Sequence, residues 1–193
     1  SFRAYGSFVN TGVVTIAAGG TLQLAGSESL ASLGSIANAG LLDIYYGGSL
    51  DLGGGTLTLA PNTAFASLEL QGTIANGTLL GAGGKLVVDG GTLSNIKLAG
   101  TIAAANSYDS LHVIGGLSGG GTLDLTNPGL SLYADTTETF DSLTVLLGGG
   151  NIYASGNSYD SVSGGYVGST LTLGPNVDLR QSAGSYSYLR GYY

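Results

Sequence analysis

A glycine-led, short Thr/Leu alternation recurs along this chain, and it limits the possible folds more than any other feature. Residues 53–62 read GGGTLTLAPN and residues 168–176 read GSTLTLGPN. Looser copies are GGTLQLAGS at 19–27, GGSLDLGGG at 47–55, GGTLSNIKL at 90–98 and GGGTLDLTNP at 119–128. In TLTL the two residue types alternate with period two, so Leu faces one side of a strand and Thr the other. The flanking Gly, Pro and Asn are turn residues, because they tolerate or preset the backbone angles a turn needs. Each copy therefore reads as turn, strand, turn.

Further short alternating segments fill the intervals: VVTIA at 13–17, LLDIYY at 41–46, SLELQGTIA at 67–75, KLVVDG at 85–90, NIKLAGTIA at 95–103, SLHVIG at 110–115, LSLYAD at 130–135, SLTVLLG at 142–148 and NIYASG at 151–156. The nearest approach to a helical period is SESLASLGSIA at 27–37, with Ser27 as a cap and Leu30 and Leu33 on one side. It is too short and too rich in Ser and Gly to hold a helix. A sandwich, a barrel and a solenoid all accept short strands and tight turns. Internal repetition, small-faced strands and the scarcity of large aromatics favour the solenoid, since a two-sheet sandwich more often fills its core with them. The Thr spacing is irregular (Thr21, Thr56, Thr92, Thr122, Thr170), and a second echo, NSYDS, occurs at 106–110 and 157–161. This excludes a strict nonapeptide calcium roll, whose GGxGxD signature is also missing. The expected fold is all-β: a right-handed parallel β-helix with irregular coils of roughly 18–25 residues, about eight to ten of them. It forms a single domain over 1–193, with 1–10 and 180–193 as aromatic-bearing end segments.

Composition narrows the function classes. Thirty-six glycines suggest low complexity, but the Leu, Ile and Val content supplies the apolar surface that disordered chains lack. No apolar run reaches the roughly 18 residues of a membrane helix, so no membrane span is expected. The formal net charge is −7, and the five basic residues (Arg3, Lys85, Lys97, Arg180, Arg190) are scattered. A nucleic-acid partner would need a basic stripe, so none is expected. With no cysteine there is no disulfide, thiolate metal site or Cys nucleophile. The chain begins at Ser1 without Met, which reads as a removed leader or a piece of something longer.

The phrases NTGVVTIAAGGTLQL, GGTLSNIKLAGTI and GSTLTLGPNVDL resemble the β-strand repeats of large bacterial surface proteins, the filamentous-haemagglutinin-like and autotransporter-passenger adhesins. The resemblance covers roughly residues 10–180 and is one of style. It implies a right-handed parallel β-helix exported to the cell surface as a stalk or matrix element. The sequence shows no recognisable secretion domain or membrane-anchoring barrel.

In such a rod, Leu22, Leu24, Leu57, Leu59, Leu93, Leu123, Leu125, Leu171 and Leu173 are the expected core, each worth about 1.5–3 kcal/mol on burial. Asn62, Asn76, Asn95, Asn127 and Asn176 sit at turns where amides can stack between coils. The open ends of a solenoid need caps, and here they carry Phe2, Tyr5 and Phe8 at one end and Tyr186, Tyr188, Tyr192 and Tyr193 at the other. These seven are the expected subunit contacts, because end-to-end docking of a β-rod produces an open filament. The expected partner is a further copy of the chain, head to tail, or flanking repeats of a longer chain; glycans and host surfaces are further partner classes.

The residues with the most chemical potential are His112, the one histidine, and the acids Asp135, Glu138 and Asp141 in DTTETFD. His112 in SLHVIG reads as an outward strand residue with no triad motif in sequence. Two of the acids at about 5–10 Å would suit a glycosidase, and oxygen ligands a calcium ion, but a solvated turn is the simpler reading. Asp109 and Asp160 read as turn caps. Ranks of Thr such as Thr56/Thr58 and Thr170/Thr172 suit ice binding, but Gln23, Ser94 and Asp124 interrupt them. No catalytic, cofactor-binding or metal-binding residue is assigned and no cofactor is expected. The expectation is a structural, non-enzymatic β-solenoid, extracellular or on the cell surface, within a bacterial adhesin or filament. The alternative is a carbohydrate-active β-helix enzyme, a polysaccharide lyase or hydrolase.

Overall fold

The computed structural model describes residues 1–106, 109–127, 129–160, 165–182 and 186–191. They form twenty-two strands and no helix. Apart from one antiparallel hairpin, the strands pair in parallel with strands one coil away, which makes a β-solenoid of about seven turns. The segment 27–37 is a strand, Ser27–Ser29, then a turn and a second strand, Ser35–Asn38.

Each coil contributes three strand segments, so the rod has three faces. Thr73–Val88 shows this within one stretch. Its start pairs with Ser49–Asp51, its middle with Thr56–Leu59 and its end with Ser67–Leu70. The first face stacks Phe2–Ala4, Thr21–Leu24, Leu41–Ile44, Ser67–Leu70, the ends of Thr73–Val88 and Thr92–Ala105, then Thr122–Leu125, Thr144–Leu147 and Asp178–Gln181. The second face holds Ser27–Ser29, Ser49–Asp51, the starts of Thr73–Val88, Thr92–Ala105 and Ser110–Ser118, then Ser131–Ala134, Ile152–Ala154 and Leu189–Gly191. The third face runs from Thr56–Leu59 through the middles of the long strands to Glu138–Phe140 and Leu171–Leu173. Val13–Ile16 and Ser35–Asn38 form a separate parallel pair near the N-terminal end.

The recurring phrase turns out to be a corner-and-strand unit, used at more than one corner rather than once per coil. Thr21 and Thr122 open first-face strands, Thr92 a second-face segment and Thr56 a third-face strand. This is why its spacing matched no coil length. The two glycines have separate tasks, seen at Gly47–Gly48. Gly48 donates its N–H to Tyr45 O at 2.7 Å, closing a turn in which Gly47 holds φ 77°. A Cβ on Gly48 would lie 2.2 Å from Leu24 O of the coil before, so only hydrogen fits where the coils meet.

Coil lengths follow the register. Leu22 to Leu42 is 20 residues, Leu42 to Leu68 is 26, and Leu68 to Leu86 is 18. Val145 to Leu179 is 34, because the hairpin Asn157–Asp160 with Gly165–Gly168 is inserted there. Long excursions of this kind use residues without adding rungs. The nine strands stacked on the first face span eight inter-strand spacings, roughly 38 Å.

Inside, Leu, Ile and Val stack on their counterparts one coil away. Leu22, Leu24, Leu57, Leu59, Leu93, Leu123 and Leu125 are buried as expected. Leu171 and Leu173 are corrections: Leu171 is half-buried and Leu173 is 36% exposed. They point inward, paired with Glu138 and Phe140, but no described coil follows to cover them.

Candidate functional site

Large apolar side chains are exposed mainly at the two ends of the rod. Toward the N-terminal end these are Phe2, Tyr5, Val9 and Val13; toward the C-terminal end, Leu173, Leu179, Tyr186, Tyr188 and Leu189. Among the described residues, only Tyr46 and Ile114 of this kind lie along the sides. Several are core residues in all but burial. Phe2 occupies the inward column of Leu22, Leu42 and Leu68, yet is 69% exposed. Leu179 continues the column of Leu123 and Val145, and Leu189 that of Leu132 and Ile152, at 36% and 59% exposure. Each end therefore shows the uncovered cross-section of the interior.

Backbone groups are open there as well. Among the described residues, Phe2–Ala4 pairs only with Thr21–Leu24, and Leu171–Leu173, Asp178–Gln181 and Leu189–Gly191 each pair with a single strand. Each of these strands has one edge with no strand partner among the described residues, the kind of edge that can template further pairing. A shallow groove of about 300 Å³ runs beside Phe2, Val14, Ile16 and Leu22, and one of about 200 Å³ beside Leu147, Ile152, Leu179 and Leu189.

Polar groups order both ends. Arg3 lies over the Tyr45 ring, 3.7 Å from its centroid, and donates Nε–H to Gln23 Oε1 at 2.8 Å. Glu28 takes an inward position beside Leu50 and is 2% exposed; its Oε2 accepts the Phe8 N–H at 3.1 Å. At the other end Arg190 covers the Tyr188 ring at 4.4 Å, and Tyr188 donates its N–H to Asn151 Oδ1. Of the aromatic residues expected at the ends, Phe2, Tyr5, Tyr186 and Tyr188 are exposed, and Phe8 is half-buried against the core. Tyr192 and Tyr193 lie outside the described residues. Sequence reasoning missed Leu179 and Leu189. Strand alternation marks them as interior, and only the coil order makes them terminal.

A second cluster lies on the second face. His112 Nδ1 is 2.7 Å from Asp135 Oδ2, and its Nε2 is 3.2 Å from Ser110 Oγ. The other Asp135 oxygen accepts Ser155 Oγ–H at 2.9 Å. The imidazole stacks on Tyr133, 5.1 Å between centroids, and Tyr133 on Tyr153 at 4.6 Å, because all three share one outward column.

The acids of DTTETFD part company. Asp135 faces outward to His112. Glu138 is buried, accepts the Thr136 N–H and Oγ1–H, and has its carboxyl pushed up by burial against those bonds. Asp141 borders a lateral groove with Asn95, Lys97 and Thr139. Among the described residues no three acids or histidines gather as a metal site. Asp109 accepts the N–H of the following Ser110 at 2.8 Å, while the side chain of Asp160 lies outside the described residues. The Thr ranks are interrupted on the third face too, where Thr56, Thr78 and Lys97 share one column and Thr58, Leu80 and Ala99 the next.

Asp43 is a strongly perturbed carboxyl. It accepts Gln23 Nε2–H at 3.0 Å, and Oδ1 has no partner among the described residues. Burial pushes its pKa up to about 6; the Gln23 bond opposes this, the charges of Glu69 and Asp89 add to it, and Arg3 opposes it.

In comparisons with known proteins, the chain matches no family model, no curated protein and no solved structure at a significant level.

Proposed function

We propose that this chain is a structural β-solenoid of the bacterial cell surface or extracellular space, a subunit or segment of an adhesin or a head-to-tail filament. The observation that carries this reading is the concentration of exposed, inward-register side chains at both ends of a rod whose sides are largely polar. An apolar cross-section with open strand edges on both sides is complementary to another coil. Setting Phe2 of one copy beyond Leu179 of the next continues the first face. The contact is heterologous, so it propagates instead of closing. Flanking coils of a longer chain would satisfy the same surfaces by the same chemistry.

Light scattering and electron microscopy of the purified chain from nanomolar to high micromolar concentration test the head-to-tail form. Fibres with an axial repeat near one rod length, lost in Leu189→Asp and in Phe2→Asp, are the expected result. A chain that stays monomeric throughout the range, or fibres untouched by both substitutions, would overturn it.

A further inference from the structure

We propose that Ser110, His112 and Asp135 form a Ser–His–Asp hydrolytic site on the second face, acting on small-acyl carboxylic esters. This does not depend on how the ends are used. The order of contacts, hydroxyl to imidazole to carboxylate, is the one nucleophilic acyl transfer needs, and it recurs on unrelated folds by geometry rather than sequence position.

The hydrogen-bond chemistry leaves little choice of arrangement for a neutral imidazole. Asp135 is a carboxylate and can only accept, so Nδ1, 2.7 Å from it, carries the ring proton. Nε2 then has a lone pair and can only accept, so the Ser110 hydroxyl, 3.2 Å away, donates to it. A serine whose proton already points at a base is a primed nucleophile. The ring is held from two sides, by Asp135 at its edge and by the Tyr133 ring on its face. Asp135 is held in turn by Ser155. The side chains of His112 and Asp135 are 30% and 32% exposed, so the site is open to a reactant from solution.

The cycle balances with water as the only co-reactant. Ser110 Oγ attacks the ester carbonyl while its proton passes to His112 Nε2. The C–O bond to the alcohol breaks, and the leaving oxygen takes that proton. Water then adds to the acyl-serine, giving its proton to Nε2. The acid departs and Oγ recovers the proton. The side chains of His112 and Asp135 stand partly open to solvent on an outward column, so the class is small-acyl esters, which need no acyl pocket. General-base activation of this kind contributes about 10²–10⁴-fold.

The test combines p-nitrophenyl acetate hydrolysis with covalent labelling by a fluorophosphonate, located by peptide mass. The expected result is turnover above buffer, with the label on Ser110. Ser110→Ala should remove the label and at least about 90% of the turnover, a tenfold loss well inside the range for base catalysis. His112→Gln should do the same, and the double variant should be no worse than either alone, because the two act as a unit. Asp135→Asn should lower kcat with KM unchanged, since the amide no longer holds the proton on Nδ1. Thr122→Ala, on the first face, should leave rate and label intact, and circular dichroism should show every variant folded. Wild-type turnover no higher than buffer, a label on another residue, or full turnover in Ser110→Ala would each overturn the proposal. The last result would mean that His112 acts alone.

Discussion

At the residue scale, the chain is governed by what fits between coils. Gly48 and Gly91 stand where the next side-chain atom would strike the backbone of the preceding coil, Leu24 O in one case and Leu70 O in the other. Gly91→Ala should therefore destabilise the rod by about 1–3 kcal/mol, as overpacked sites do, read as a lower urea midpoint at unchanged slope. Asp43 makes a prediction of a different kind. Its folded pKa, about 6, lies above the ordinary carboxyl value, so the folded chain binds this proton more tightly than the unfolded one. The sign follows: the Asp43 contribution favours folding fully below about pH 4 and is lost as pH rises through about 6. Asp43→Asn keeps an acceptor for Gln23 and removes the titration. It should raise Tm at pH 7 and flatten the fall in Tm between pH 4 and 6.

At the scale of elements, corners and rungs repeat from coil to coil. Asp51, Asn76 and Asn95 form a ladder at one corner: Asn76 Nδ2 donates to Asp51 Oδ1 and Asn95 Nδ2 to Asn76 Oδ1, both at 3.3 Å. Asn76 and Asn95 also hold φ 57° and 53°, left-handed values that Asn tolerates better than other residues with a Cβ. Asn127 reaches the coil before by a different bond, Nδ2 to Ala104 O at 2.7 Å. Asn76→Ala loses both the ladder and the backbone fit, whereas Asn76→Gly loses the ladder alone. Alanine should cost more than glycine, by about 1 kcal/mol, in parallel urea melts. Rungs differ by place in the stack. Leu79, fully buried with coils on both sides, should cost about 2–5 kcal/mol as alanine. Leu173→Ala should cost clearly less, because the side chain is already 36% exposed. Equal losses at the two positions would mean that the terminal coil is covered in solution.

At the scale of the molecule, stacking makes the ends unlike the sides. Among the described residues, most internal strands pair on both sides, whereas end strands such as Phe2–Ala4 and Leu189–Gly191 pair on one side and show interior side chains. If ends meet between copies, assembly also stabilises the fold by mass action, so Tm should rise with protein concentration. Leu189→Asp should abolish that rise while leaving Tm at the lowest concentration nearly unchanged. A Tm independent of concentration in the parent chain would count against end-to-end docking.

The strand content, the turns and the interior Leu columns were legible in the sequence, because alternation and glycine placement act over a few residues and report local geometry directly. The solenoid followed from repetition of those local units. Register did not. It is set by which strand lies above which, and coil lengths of 18 to 34 residues cannot be read from a phrase reused at several corners. Two consequences only became visible in three dimensions. Leu179 and Leu189 look like any interior leucine until the stack ends beside them. Asp135 lies 23 residues from His112 and falls beside it because one coil separates them, while Ser110 was in plain view two positions away. Sequence alone determined what each coil is made of, since that chemistry is local. The tertiary structure decided which side chains meet across coils and which are left uncovered, since both depend on register and on where the stacking stops.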